Sequence, residues 1–151
     1  MKDITIDYAL RSSWQAIARM YNEEAKHFDS TMAVGFTLLS IDPKTGTPST
    51  ALGPKMGMEA TSLSRILKNM ETKGLIERRP NPDDGRGVLI HLTDFGREKR
   101  ADSKDVVLRF NETVREHVTQ GQLDGFFSVV GAINQLISEK KIYFKEKTSN
   151  T

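Results

Sequence analysis

The feature that most constrains this chain is a change of apolar period at Gly74. Before it, Leu63, Ile66, Leu67 and Met70 recur at steps of three and four, the spacing of one helix face. After it, Leu75-Ile76-Glu77-Arg78-Arg79 and Val88-Leu89-Ile90-His91-Leu92 alternate at a period of two. Between those runs lies Pro80-Asn81-Pro82-Asp83-Asp84-Gly85-Arg86-Gly87, dense in residues that favour turns. The pattern predicts a helix stopped by Gly74 and then a β-hairpin with an eight-residue, charged loop over 80–87.

Helices flank this unit on both sides. Leu10, Trp14, Ile17, Tyr21, Ala25 and Phe28 share one face of a first helix. Ser30 or Thr31 can cap a second, shorter one carrying Met32, Phe36 and Leu39, which Asp42-Pro43-Lys44-Thr45-Gly46-Thr47-Pro48 breaks. Ser49 is placed to cap a third, with Gly57 as its stop. Thr93 is an N-cap for a long helix with Asp94 in its first turn and Phe95, Val107, Phe110, Val114 and Val118 along it. After Gly121, the residues Leu123, Phe126, Phe127, Val130, Ile133 and Ile137 mark a last amphipathic helix, and Thr148–Thr151 is expected to fray. The order is four helices, a hairpin and two helices: a mainly α protein with a small β-hairpin (α+β), expected as one domain over 1–151.

Composition removes several function classes. The chain has no cysteine, which excludes disulfides, thiolate metal sites, a cysteine nucleophile and a thiol redox sensor. No apolar run approaches the ~20 residues of a membrane span, and Met1-Lys2-Asp3-Ile4-Thr5-Ile6-Asp7 has acids where a signal peptide needs a basic and then an apolar run. A cytoplasmic protein without a membrane partner is expected. A net charge of +2 argues nothing about nucleic acid by itself, so the positions of the charges must decide.

Catalysis has strict requirements and finds no footing. His27, His91 and His117 are far apart, with no paired metal spacing. The sequence holds no Gly-x-Ser-x-Gly elbow, phosphate-cradling glycine loop or His-Glu-x-x-His. His91 alternates outward on the second strand and is expected to be solvated. Neither an enzyme nor a metal or other cofactor is expected.

The stretch Ser49–Leu92 says more. A short helix, a glycine turn and a second helix with short polar side chains near its start describe a helix-turn-helix. The second helix presents Thr61, Ser62, Ser64 and Arg65, groups that reach base edges or phosphates when a helix N-terminus enters the major groove. Lys68 and Lys73 lie further along, suited to phosphate, although alone they read equally as a solvated charged face. A basic loop beside such a helix can enter the minor groove, and Arg86 is its candidate side chain. Asp84, two residues earlier, could brace the guanidinium through a bidentate pair or form only a weak surface ion pair.

Gly74-Leu75-Ile76-Glu77-Arg78-Arg79, then Asp84-Gly85-Arg86, then Leu92-Thr93-Asp94-Phe95-Gly96 resemble the winged helix-turn-helix of the MarR family of bacterial transcriptional regulators. The family wing usually reads Asp-Arg-Arg before a strand and Leu-Thr-x-x-Gly; here Gly85 takes the middle place, and Glu59 stands where a Ser or Asp cap is common. The resemblance implies a winged core at about 48–92, with dimerisation helices at about 4–29 and 100–145. It further implies a homodimeric regulator, a repressor in most such proteins, that reads a pseudo-palindromic operator in double-stranded DNA. The contacts then expected involve Ser49, Thr61, Ser62, Ser64, Arg65, Lys68, Asp84 and Arg86. Relatives are commonly released by small aromatic or phenolic effectors, for which Trp14, Tyr21, Phe28, Met32 and Phe36 are the expected cleft. At helical spacing, those same five side chains also read as ordinary core. The thiol-oxidation switch of some relatives is impossible without cysteine. A winged-helix module that binds protein instead of DNA is the alternative that the residues leave open.

Overall fold

The computed structural model describes residues 3–143. In chain order the elements are α1 (Ile6–Lys26), α2 (Met32–Ser40), β1 (Thr47–Pro48), α3 (Ser49–Met56), α4 (Ala60–Thr72), β2 (Ile76–Asn81), β3 (Asp84–Leu92), α5 (Asp94–His117) and α6 (Gln120–Ser138). They form a mostly helical fold, as the periods predict, with a small three-stranded sheet. The chain divides into two compact units, Met1–Leu108 and Arg109–Thr151.

The first unit holds the buried core. Leu38 and Ile41 from the end of α2, Leu52 from α3, Met70 from α4 and Ile90 from β3 are almost wholly removed from solvent. Val34, Leu63, Leu67, Leu75, Ile76 and Leu92 complete the cluster, and Ile66 packs at its edge. Each fully buried side chain of this kind contributes about 1.5–3 kcal/mol. The apolar face of α4 is therefore fixed inward, which leaves its polar face outward. The second unit has no such core: no residue of α6 is buried, and Phe126, Phe127 and Ile137 are each more than half exposed.

Local chemistry sets the helix ends. Thr31, not Ser30, caps α2, its hydroxyl accepting from the Val34 N–H at 3.2 Å. Gly57 ends α3 in the left-handed conformation (φ 61°), where a side chain would be strained. Gly74 (φ 73°) follows α4 in the same conformation, and the Leu75 N–H closes back onto the Met70 carbonyl at 2.9 Å. Thr119 and Gln122 form a reciprocal capping box at the start of α6.

Three details depart from the sequence reading. Ser49 is not a cap: Pro48 holds that position without a side-chain hydrogen bond, and Ser49 is the first helical residue, half-buried. The hairpin loop is also shorter than eight residues. β2 runs through Asn81 and β3 begins at Asp84, with Asn81 opposite Asp84 and Pro80 opposite Val88, so the ladder absorbs the extra residues 85–87 as an irregularity. Finally, Thr47–Pro48, part of the expected break, adds a third strand, Thr47 pairing with Ile90 and Pro48 with Leu89, giving the order β1-β3-β2. Proline is tolerated there because the strand is an edge strand.

His91 is half-buried rather than solvated. A Cβ on Gly46 would lie 2.8 Å from its ring, so the imidazole packs directly on that turn. The expected frayed tail at Thr148–Thr151, and the end of the 100–145 segment beyond residue 143, lie outside the described residues. Among the described residues no helix is long and apolar enough to cross a membrane.

Candidate nucleic-acid interface

The helix-turn-helix is α3, the turn Gly57-Met58-Glu59 and α4. The Met58 N–H returns to the Gly53 carbonyl at 3.0 Å, tying the turn to α3. Glu59 is the N-cap of α4 but makes no side-chain cap bond, so the opening amides of α4 gain no hydrogen bond from the cap side chain. Thr61, Ser62, Ser64, Arg65 and Lys68 are all exposed on the face opposite Leu63, Leu67 and Met70. Ser49, at the first position of α3, is not part of that exposed row.

The basic residues sort into two groups. Arg78 pairs with Glu71 at 3.2 Å, joining β2 to the last turn of α4, and Arg79 is held by Glu77 on the same strand. Arg65, Lys68 and Arg86 have no ion pair among the described residues and are exposed. The geometry sets apart Arg65 and Lys68 on the outer face of α4 and Arg86 at the tip of the hairpin; Lys73, also exposed and without an ion pair among the described residues, lies just past the end of α4. Pairing of Arg78 and Arg79 was not visible beforehand, because Glu71 and Arg78 meet only through the turn at Gly74.

At the hairpin tip the acid acts on the backbone. Asp84 Oδ1 accepts from the Arg86 backbone N–H at 3.1 Å, whereas the sequence reading had it bracing the guanidinium. Asn81 Oδ1 does the same for the Asp83 N–H at 3.0 Å. A Cβ at Gly87 would come within 3.1 Å of the Asp84 carboxylate, so that glycine makes room for the turn. Such side-chain-to-backbone bonds fix the loop's path and leave the Arg86 side chain pointing free.

The expected effector cleft is partly assembled. Tyr21, Phe28, Met32 and Phe36 line one cavity in the first unit, together with Lys99, Asp102 and Ser103 from α5. Trp14 does not line it; the indole stacks on the outer side of Phe36 at 6.4 Å between ring centres and stays half exposed. Burial pushes the Tyr21 phenol above its ordinary pKa. The cavity measures about 50 Å³, against the roughly 150 Å³ of an apolar cavity that accepts benzene. A roomier neighbour of about 300 Å³ opens on the other side of Phe28, against Lys73, Leu75, Phe95 and Lys99. The Lys99 ammonium lies 5.7 Å from the Phe28 ring centre and 5.6 Å from that of Phe95. Its place on α5 gave no signal in sequence, since only folding brings it to the aromatic rings. No cluster of metal-ligating side chains occurs among the described residues.

Residues 31–88, from the cap of α2 into β3, match the sequence profile of the MarR family. That segment of the chain is similar to the MarR family. The multiple antibiotic resistance protein MarR of Escherichia coli is 36% identical over 78 residues, covering 52% of this chain and 54% of that protein. The HTH-type transcriptional regulator YdgJ of Bacillus subtilis is 37% identical over 68 residues, covering 45% and 42%. The chain thus spans about half the length of the curated relatives it matches. The likeness of fold extends further than the likeness of sequence. The structure of S. aureus MepR in complex with DNA superposes with a TM-score of 0.80 at 19% identity, covering 88% of this chain and 98% of that one.

Proposed function

We propose that this chain is a DNA-binding transcriptional regulator that works as a homodimer on an inverted repeat in double-stranded DNA, as a repressor. The observation that carries this reading is the set of unpaired cations: Arg65 and Lys68 on the outer face of α4 and Arg86 at the hairpin tip. In a duplex, α4 enters the major groove, with Arg65 on guanine and Thr61, Ser62 and Ser64 on bases or phosphates. Lys68 meets the backbone, and Arg86 enters the adjacent minor groove. Ser49 reaches the phosphates from the start of α3. Two similarities support this: YdgJ is named a transcriptional regulator, and MepR was solved on DNA. The test is selection of duplexes from a random pool at about 150 mM salt. Enrichment of an inverted repeat with half-sites about 10 bp apart is expected; no enrichment from folded protein overturns the reading.

A second copy of the chain is the partner that the exposed apolar side chains call for. Ile6, Tyr8 and Leu10 on α1 stand open to solvent, as do Phe126, Phe127 and Ile137 on α6, and contiguous exposed apolar side chains mark interaction surfaces. Replacing both Phe126 and Phe127 by Glu is expected to convert a dimer to a monomer in sedimentation equilibrium. A double variant that still sediments as a dimer would move the interface elsewhere.

A small aromatic or phenolic effector fits this scheme at Tyr21, Phe28, Met32 and Phe36 only if side chains move, because the cavity there is smaller than one ring. Its effect on transcription depends on unequal affinity for DNA-bound and free conformations. The protein acts where its DNA is, in the cytoplasm.

A further inference from the structure

The junction between α4 and α5 is tied by one side chain. The Thr93 hydroxyl donates to the Gly74 carbonyl, just past the end of α4, and accepts from the Gly96 N–H in the first turn of α5 at 3.0 Å. The Thr93 backbone N–H meanwhile donates to the Leu75 carbonyl at 3.1 Å. A single residue thus holds both sides of the place where the exposed helix hands over to the hairpin and where the hairpin hands over to the long helix. The remaining connections there are the strand pair Ile76–Leu92 and the close approach of Gly96 to Leu75. An ordinary helix cap satisfies only its own helix. This one also uses its proton on a carbonyl nineteen residues away, at the exit of a different helix.

We infer that Thr93 is a positioning residue for DNA recognition: its hydroxyl sets the angle between α4 and α5, and so the angle at which α4 meets a duplex. The inference rests on the DNA-binding reading above. It also gives α5 a route to α4, since a displacement at the start of α5 must either drag the Gly74 carbonyl or break the bond to it. Removing the hydroxyl leaves a carbonyl and an amide without their partner, so that only the Thr93 N–H bond to Leu75, the Ile76–Leu92 pair and the approach of Gly96 to Leu75 still hold the angle.

The experiment compares Thr93→Val, which keeps the shape but loses the hydroxyl, with Thr93→Ser, which keeps the hydroxyl. Each is titrated against the selected duplex at concentrations that report both the active fraction and the Kd. Thr93→Val is expected to raise the Kd about tenfold or more with the active fraction unchanged, and Thr93→Ser to restore it to within about threefold of wild type. A merely structural role would lower the active fraction or the melting temperature and leave the Kd of the folded molecules alone. That result overturns the proposal, as does a Thr93→Ser as weak as Thr93→Val. Amide exchange without DNA separates this failure from failure of the DNA reading: faster exchange at Gly96 in Thr93→Val shows the tie broken. Wild-type protein that binds no duplex while Gly96 behaves in this way refutes the DNA reading and with it the role assigned to Thr93, though not the tie.

Discussion

Replacing Gly96 by alanine is expected to lower the melting temperature by roughly 5–10 °C. A Cβ at that position would stand 2.0 Å from the Leu75 carbonyl oxygen and 3.0 Å from its carbon. These are backbone atoms, so no rotamer change can relieve the clash. The backbone cannot retreat either. The Leu75 carbonyl accepts the Thr93 N–H, and the next pair along the hairpin, Ile76 with Leu92, is registered in the sheet. Ile76 and Leu92 are both core residues, so a shift there spreads into the packing of the first unit. Overpacking a tight site costs about 1–3 kcal/mol, and each kcal/mol corresponds to about 2–4 °C for a chain of this size. Gly85 supplies the control. A Cβ there meets nothing within 4 Å, so Gly85→Ala is expected to leave the midpoint within about 2 °C of wild type. Equal shifts in the two variants, read by circular dichroism, would contradict the packing account.

The second large effect concerns binding rather than stability. Arg65→Ala is expected to raise the Kd for the selected duplex by about 10- to 100-fold and to relax the preference at one position of each half-site, since a bidentate arginine–guanine contact is worth about 1–3 kcal/mol. Lys68→Ala should weaken all sequences alike and reduce the slope of log K against log salt by about one per protomer. Arg86→Ala is expected to weaken binding most where the flanking sequence is A·T-rich. None of these changes touches the core, because all three side chains are exposed, so melting should not move. Arg78→Ala is the informative contrast. That guanidinium is engaged by Glu71, and its loss should change affinity little beside the loss of Arg65. A Kd that responds equally to Arg65→Ala and Arg78→Ala would remove the distinction between paired and unpaired cations on which the interface rests.

Much of the helix-turn-helix was legible because its signals are local. The 3.6-residue stripe of Leu63, Leu67 and Met70, the glycine stops at Gly57 and Gly74, and the cap at Thr93 each lie within a few residues of what they determine. The features that were not legible depend on partners distant in the chain. β1 is two residues long and exists only because Ile90 and Leu89 offer a free strand edge. The hairpin loop was drawn too long because proline and glycine density marks turns, while the pairing of Asn81 with Asp84 tucks residues 85–87 into an irregular ladder. Asp84 was assigned to the Arg86 guanidinium on charge alone, yet the nearer backbone N–H takes the carboxylate. The aromatic cleft was expected from the family resemblance, with Trp14 among its side chains. The wall supplied by Lys99, Asp102 and Ser103 depends on where α5 packs, and the rings leave less room than their number suggested.

The reading of the molecule as a two-fold DNA reader is tested most directly by changing the distance between half-sites. Two recognition helices related by a dimer axis meet successive major-groove faces about 34–36 Å apart, one turn of the duplex. Inserting about 5 bp between the half-sites of the selected duplex rotates one of them to the opposite face of the helix. The account predicts that affinity then falls to that of a single half-site and that restoring a full turn recovers part of it. Undiminished affinity after the half-turn insertion would contradict it, because each half-site would then be read without the geometry of a dimer.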